Sequence, residues 1–331
     1  MKFGPVPTLQ AEGTILAHAV CLPDMKLTKG RQLRSSDVAA LARAGLDEVV
    51  VARLEASDVG EDEAAVRAAR RLAGPGVVAG PARGGRVDLR ARTHGVLVID
   101  RTAVDRLNAI DESLTVATLP AYETVTENQI VATIKVIPLA VGEPAIAAWE
   151  AAAIPLEVRP FTRHRVSLVQ TILAGANEAL LSKTRDVTAR RLDALGSTLV
   201  DEVRTEHRTL AVLQILARRA EAKDDVILLC GASSIIDRND VIPAALVAAG
   251  GDIDWFGMPV FPGNLLLLGH IGAIKIVGLP GCARSPRLNG IDLVLRRLFA
   301  GLPVGATEIQ SMGVGGLLGD PHRPGSATEW G

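Results

Sequence analysis

Aromatic side chains make up only 3% of the 331 residues, and there is a single tyrosine. Stacking platforms for single-stranded nucleic acid need several exposed rings, so that class is not expected. Charge of one sign is also lacking: 36 Lys and Arg stand against 37 Asp and Glu, a formal net of −1. Such a chain has no general pull toward a phosphate backbone or an acidic membrane surface. The three cysteines, Cys21, Cys230 and Cys282, are far apart and match neither a disulfide framework nor a zinc spacing. They fit a reducing compartment. The histidines, His18, His94, His164, His207, His270 and His322, are scattered, so no His-based metal site is expected. Apolar runs such as Leu265–Leu268 fall far below the roughly 20 residues that a membrane helix needs. The first residues show no basic segment followed by a long apolar run, so no signal peptide is expected, and the location expected is the cytoplasm. No repeat of solenoid period is visible.

What is present is apolar residue, 48% of the chain, against 22% charged. That suffices for two or three ordinary cores. Residues 1–55 read as a small β-rich module with one helix. In it, Ser35-Ser-Asp37 opens an amphipathic stretch with Val38, Leu41 and Ala42 on one face, ending at Gly45. Residues 56–160 read as an α+β region without an assignable sheet order, starting with a helix over 61–72. The Pro-containing stretch 154–165 reads as a linker. From 161 to 305, apolar strands alternate with helices, and 306–331 reads as a polar C-terminal tail. Continuous apolar strands between helices predict an α/β fold whose mostly parallel sheet has helices on both faces. Such sheets bind ligands beyond the carboxyl ends of their strands.

Three loops are then expected on that edge. The first, Gly231-Ala232-Ser233-Ser234-Ile-Ile-Asp237-Arg-Asn-Asp240, has small residues that let backbone N–H groups approach a ligand, plus two hydroxyls. Asp237 and Asp240 either hold a cation or cap the following helix. The second, Phe261-Pro262-Gly263-Asn264, is by itself an ordinary Pro-Gly turn. The third runs Leu279-Pro280-Gly281-Cys282 to Ser285-Pro286, where Leu288, Ile291, Leu295 and Leu298 stand at helical spacing. Ser285 is expected to start that helix, either as a simple cap or beside a bound anion.

The order of these loops resembles the molybdopterin-binding domain. That domain is shared by molybdopterin molybdenumtransferases, including the gephyrin C-terminal region, and by the smaller adenylyltransferases. The resemblance covers about Arg163 to Leu302. The stretch Lys26 to Leu54 also resembles a short module of the molybdenumtransferases. The chain as a whole resembles the N-terminal half of bacterial fusions with a molybdenum-cofactor nucleotidyltransferase, although the nucleotide loop of that second half is absent. The resemblance implies a molybdopterin or molybdenum-cofactor ligand held by Thr171, Lys183, Gly231, Ala232, Ser233, Ser234, Pro262, Gly263, Asn264, Pro280, Gly281, Cys282 and Ser285. Asp237 and Asp240 are the candidates for catalytic or magnesium-binding acids, and a nucleotide is a further candidate ligand.

The departures from the family pattern are specific. Two acids that the family carries after the first strand of this domain are replaced by Gln170-Thr171-Ile-Leu-Ala-Gly175. Asn264 stands for the family's Lys, and Cys282 for its Asn. Binding in cofactor biosynthesis, maturation or delivery is therefore expected ahead of molybdenum insertion. A working molybdenumtransferase and a scaffold protein with a non-catalytic cleft are the alternatives. The partners implied are the pterin itself, a separate nucleotidyltransferase or a maturation protein for molybdoenzymes, and further copies of this chain in a homo-oligomer.

Overall fold

The computed structural model describes residues 1–318. Its described residues form two compact units, 1–159 and 160–318. No helix among the described residues is long and apolar enough to cross a membrane.

In the first unit, strands Lys2–Pro7 and Ile15–Leu16 flank Glu48–Arg53 in an antiparallel sheet. Helix Ser35–Arg43 closes a core of Leu16, Leu27, Leu33, Leu41 and Val51. Asp37 on its first turn accepts from the Arg34 N–H and receives both arms of Arg31. That Arg31 guanidinium holds the Asp37 carboxyl below the usual carboxylate range. The sheet order that the sequence leaves open is antiparallel: Leu114–Thr118, Ile130–Val136, Arg86–Ala91, Val77–Ala79. Helix Glu61–Leu72 packs a stripe of Ala64, Ala65, Ala68, Ala69 and Leu72 into the same core as these strands. Its acids fall in the first turn and Arg70 and Arg71 in the last, each opposing the helix dipole. The stretch expected as a linker instead contains strand Glu157–Pro160 with Val158 buried. Gly76 lets the Val158 carbonyl come so near that no Cβ would fit.

The second unit carries a six-stranded sheet. Within this unit the strands are β1 (Arg165–Ile172), β2 (Thr198–Glu206), β3 (Val226–Cys230), β4 (Asp252–Phe256), β5 (Leu267–Ile271) and β6 (Ile274–Leu279). The helices are α1 (Glu178–Asp193), α2 (Thr209–Glu221), α3 (Val241–Ala248) and α4 (Gly290–Phe299). The sheet order is β2-β1-β3-β6-β5-β4. Ladders β1–β2, β1–β3 and β3–β6 are parallel, whereas β5 runs against both neighbours. Only β5 therefore opposes the common direction, and the fold is α/β with a mostly parallel sheet. Side chains alternate between the two faces with period two. Val166, Leu168, Leu228 and Val277 join Leu192 of α1 and Leu295 of α4 in one core. Val169, Ile227, Leu229 and Ile276 join Leu216 of α2 and Leu246 of α3 in the other. Beyond α4, where a polar tail is expected, Ala306–Gln310 forms a short helix that buries Ile309. Residues 319–331 of that tail, with His322, lie outside the described residues.

Candidate functional site

Strand register lines up the first positions of the site. Gln170 of β1 pairs with Cys230 of β3, which pairs with Leu279 of β6. Thr171, Gly231 and Pro280 are thus the next residues along three adjacent parallel strands, spaced by the roughly 4.8 Å of a ladder. The β4–β5 loop opens on the same edge, because β4 runs in the direction of β6. All three loops singled out in the sequence therefore leave one edge of one sheet.

The β3–α3 loop is shaped by its first residue. A Cβ at Gly231 would run into the Ser233 carbonyl oxygen, so the chain curls back there only as glycine. The Ala232 N–H donates to Thr171 Oγ1 at 2.8 Å, tying the loop to the end of β1. The Ser234 hydroxyl faces Gly281, whose added Cβ would stand 3.5 Å from it. Arg284 reaches from the third loop, donating to the Gly231 carbonyl at 2.8 Å and to Thr184 Oγ1 of α1 at 3.1 Å. Ser233 and Ser234 are exposed, and no partner among the described residues takes their backbone N–H groups. Asp240 is the N-cap of α3, accepting from the Val241 N–H at 2.7 Å and from the Ile236 N–H. Asp237 accepts from the Asn239 N–H at 2.7 Å. These carboxylates serve their own loop, and no group of three or more His, Cys, Asp or Glu among the described residues could hold a metal ion. The donor set does not fit a divalent ion caged by the protein.

The third loop differs from its expectation. Gly281–Arg284 is a single 3-10 turn, and α4 starts at Gly290, five residues past Ser285. The cap is Asn289, whose side chain accepts from the Ile291 N–H while Asp292 accepts from the Asn289 N–H. This reciprocal box satisfies the first turn, and the Gly290 N–H donates to the Pro262 carbonyl at 2.8 Å. The start of α4 therefore has no bare N–H groups for an anion. Arg191 of α1 fixes the loop from beneath: it pairs with Asp292 at 2.8 Å and donates to the carbonyls of Ala283 and Ser285. Pro262 and Gly263 pack on α4: a Cβ at Gly263 would lie 2.7 Å from the Gly290 nitrogen. Asn264 closes its own turn by bonding both ways with Met258. Lys183 is exposed on α1, one residue before Thr184. Cys282 is partly buried; burial pushes its thiol up, as it does the buried Cys230 thiol.

The departure at the end of β1 is structural in part. Gln170 is fully buried, and its amide donates to the Leu181 carbonyl and to Glu202 of β2. The residue that sequence reasoning passes over is His207. It follows the last residue of β2, its backbone N–H donates to the Ile172 carbonyl, and its ring joins Thr171 (2.8 Å) to Ser233 (3.3 Å). Its position one residue past a parallel strand was the available signal, since such ends gather on one edge. His270 also gains a neighbour invisible in linear spacing: its Nδ1 lies 2.9 Å from Asp254 of the adjacent strand.

A model for a domain of unknown function (DUF8806) matches residues 5–53. No curated protein matches the chain. Among solved structures, a molybdopterin biosynthesis MoeA protein from Pyrococcus horikosii is 12% identical, over 90% of this chain and 75% of that one, with a TM-score of 0.30. A molybdenum cofactor biosynthesis protein from Pyrococcus furiosus is 10% identical, over 92% of this chain and 66% of that one, with a TM-score of 0.25.

Proposed function

We propose that the carboxyl edge of the second unit binds a phosphate-bearing pterin of the molybdenum-cofactor type, in the biosynthesis, maturation or delivery of that cofactor. The observation that supports this reading best is the joined edge itself: Thr171 holds the Ala232 N–H, Ser234 meets Gly281, and Arg284 lies under the Gly231 carbonyl. An anion there would take the Ser233 and Ser234 N–H groups and hydroxyls, with the Arg284 charge beside them. The pterin as the particular guest comes from the order of the three loops in the sequence. Binding is favoured over molybdenum insertion because the two acids expected after β1 are absent and the Gln170 amide nitrogen in their place donates inside the fold, to the Leu181 carbonyl and Glu202. The reading assigns no metal to Asp237 or Asp240.

The test is to isolate the protein from cells that make the pterin, oxidise it, and measure the fluorescent derivative. Wild type carries the derivative, and Ser234→Trp, which fills the space beside Gly281, loses it. A second reading, a docking surface for another protein, is favoured by the exposed Leu210 and Ile236 at the same edge, 61% and 76% accessible. Absence of pterin from the wild-type protein, together with a partner whose binding Ile236→Asp abolishes, would replace the first reading with the second.

A further inference from the structure

The Ser233–His207–Thr171 series looks at first like a nucleophile, a base and the group that orients the base. The hydrogens argue against that assignment. Thr171 is 1% exposed, and its Oγ1 already accepts the Ala232 N–H. Among the described residues its hydroxyl hydrogen has one acceptor within reach, His207 Nδ1 at 2.8 Å. A buried hydroxyl that withheld this hydrogen would leave a donor unsatisfied, which is costly. In the neutral ring, an Nδ1 that accepts leaves the proton on Nε2. Nε2 therefore donates toward Ser233 and cannot take a proton from it. A base facing Ser233 would need the opposite tautomer.

We propose that Thr171 and His207 form a fixed donor relay, in which His207 Nε2–H points out at the carboxyl edge and donates to an accepting oxygen of the ligand. This deepens the proposed function and rests on it. Ser233 is exposed, and its hydroxyl is 3.3 Å from Nε2, at the long end of hydrogen bonding. A phosphate or carbonyl oxygen would accept from Nε2 in its stead, leaving the Ser233 hydroxyl to donate to the same ligand. The backbone bond from His207 N–H to the Ile172 carbonyl, 2.9 Å, keeps the ring beside β1, so the donor is oriented before the ligand arrives. His207 is a ligand-contacting residue in this assignment, and Thr171 a positioning residue that acts through it.

Two measurements test the relay. Long-range nitrogen–hydrogen NMR on the neutral ring reads the tautomer without any ligand. Wild type and Thr171→Ser, which keeps the hydroxyl, show the Nε2–H form, whereas Thr171→Val, which lacks it, shows a mixture or the Nδ1–H form. An Nδ1–H ring in wild type overturns the relay and reopens Ser233 as a nucleophile. The second measurement is binding of inorganic phosphate by calorimetry. His207→Gln, whose amide N–H reaches about as far as Nε2, stays within about threefold of wild type, and His207→Phe weakens binding about tenfold or more. Equal losses in both variants, or none in either, overturn the donor role. If wild type binds neither phosphate nor pterin, the proposed function falls together with the relay's ligand. If phosphate binds and His207→Phe changes nothing, only the relay falls.

Discussion

The β3–α3 loop and the β6–α4 loop leave the same edge of the same sheet, and both lead from a buried parallel strand to a helix. Their chemistry is nearly opposite. After β3, the chain turns on Gly231 and leaves Ser233 and Ser234 exposed, with no partner among the described residues for their backbone N–H groups. After β6, Arg191 takes the loop carbonyls, Asn289 and Asp292 close the first turn of α4, and Pro262 takes the Gly290 N–H. One loop leaves two backbone donors without a partner among the described residues, and the other pairs its donors. A helix start after a parallel strand is therefore not a ligand site by position alone; what decides is whether the protein has already met its donors.

Arg191→Leu removes a cation 5% exposed from a carboxylate 2% exposed and strands Asp292 without its partner. A loss of about 3–5 kcal/mol in unfolding free energy is expected, read by urea denaturation. A loss under 1 kcal/mol, on the order of a surface pair, would mean that the third loop is not held as described. Gly231→Ala forces the Ser233 carbonyl away from its place, with an expected cost of about 1–3 kcal/mol and loss of phosphate binding. Unchanged binding in that variant would show that the curled loop is not where the anion sits.

The two caps give a matched pair of smaller effects. Asn289→Ala and Asp240→Ala each remove an N-cap acceptor, for about 1 kcal/mol of stability. Phosphate affinity should be unchanged in Asn289→Ala, since the start of α4 takes no part; a drop would restore that helix end as a site. The smallest effect is on thiol reactivity. Burial raises both Cys230 and Cys282, so at pH 8 each has less thiolate than a free thiol and reacts more slowly with iodoacetamide. Exposed Cys21 should be labelled first, partly buried Cys282 next and Cys230 last, as followed by peptide mass spectrometry. Rapid labelling of Cys230 would mean that the β3 end opens in solution.

Much of the scaffold was legible along the chain. The helix over 61–72 has acids at its start, arginines at its end and an alanine stripe between, so local propensity and pattern agree. The strands Val226–Cys230 and Ile274–Leu279 are apolar runs bounded by turn residues, and the structure buries both of their faces. Single residues are less legible where a stronger local cap or a distant partner takes over. Ser285-Pro286 has the local chemistry of a helix start, yet the helix waits for Asn289, because Asn289 and Asp292 form the reciprocal cap and Arg191 occupies the carbonyls before it. The supposed linker became a strand at Glu157–Pro160, packed where Gly74 and Gly76 let it approach.

The sequence by itself determined the alternation of strands and helices, the two-faced burial of the parallel strands and the presence of small-residue turns at their ends. Those are local properties, written in periodicity and in the conformations that glycine and proline permit. Only the tertiary structure decided which helix start is sealed, that His207 stands between Thr171 and Ser233, and that Arg284 crosses from one loop to another. Each depends, at least in part, on groups tens of residues apart meeting within hydrogen-bond reach, about 3 Å. Spacing along the chain says nothing about such meetings until strand register has fixed which ends lie side by side.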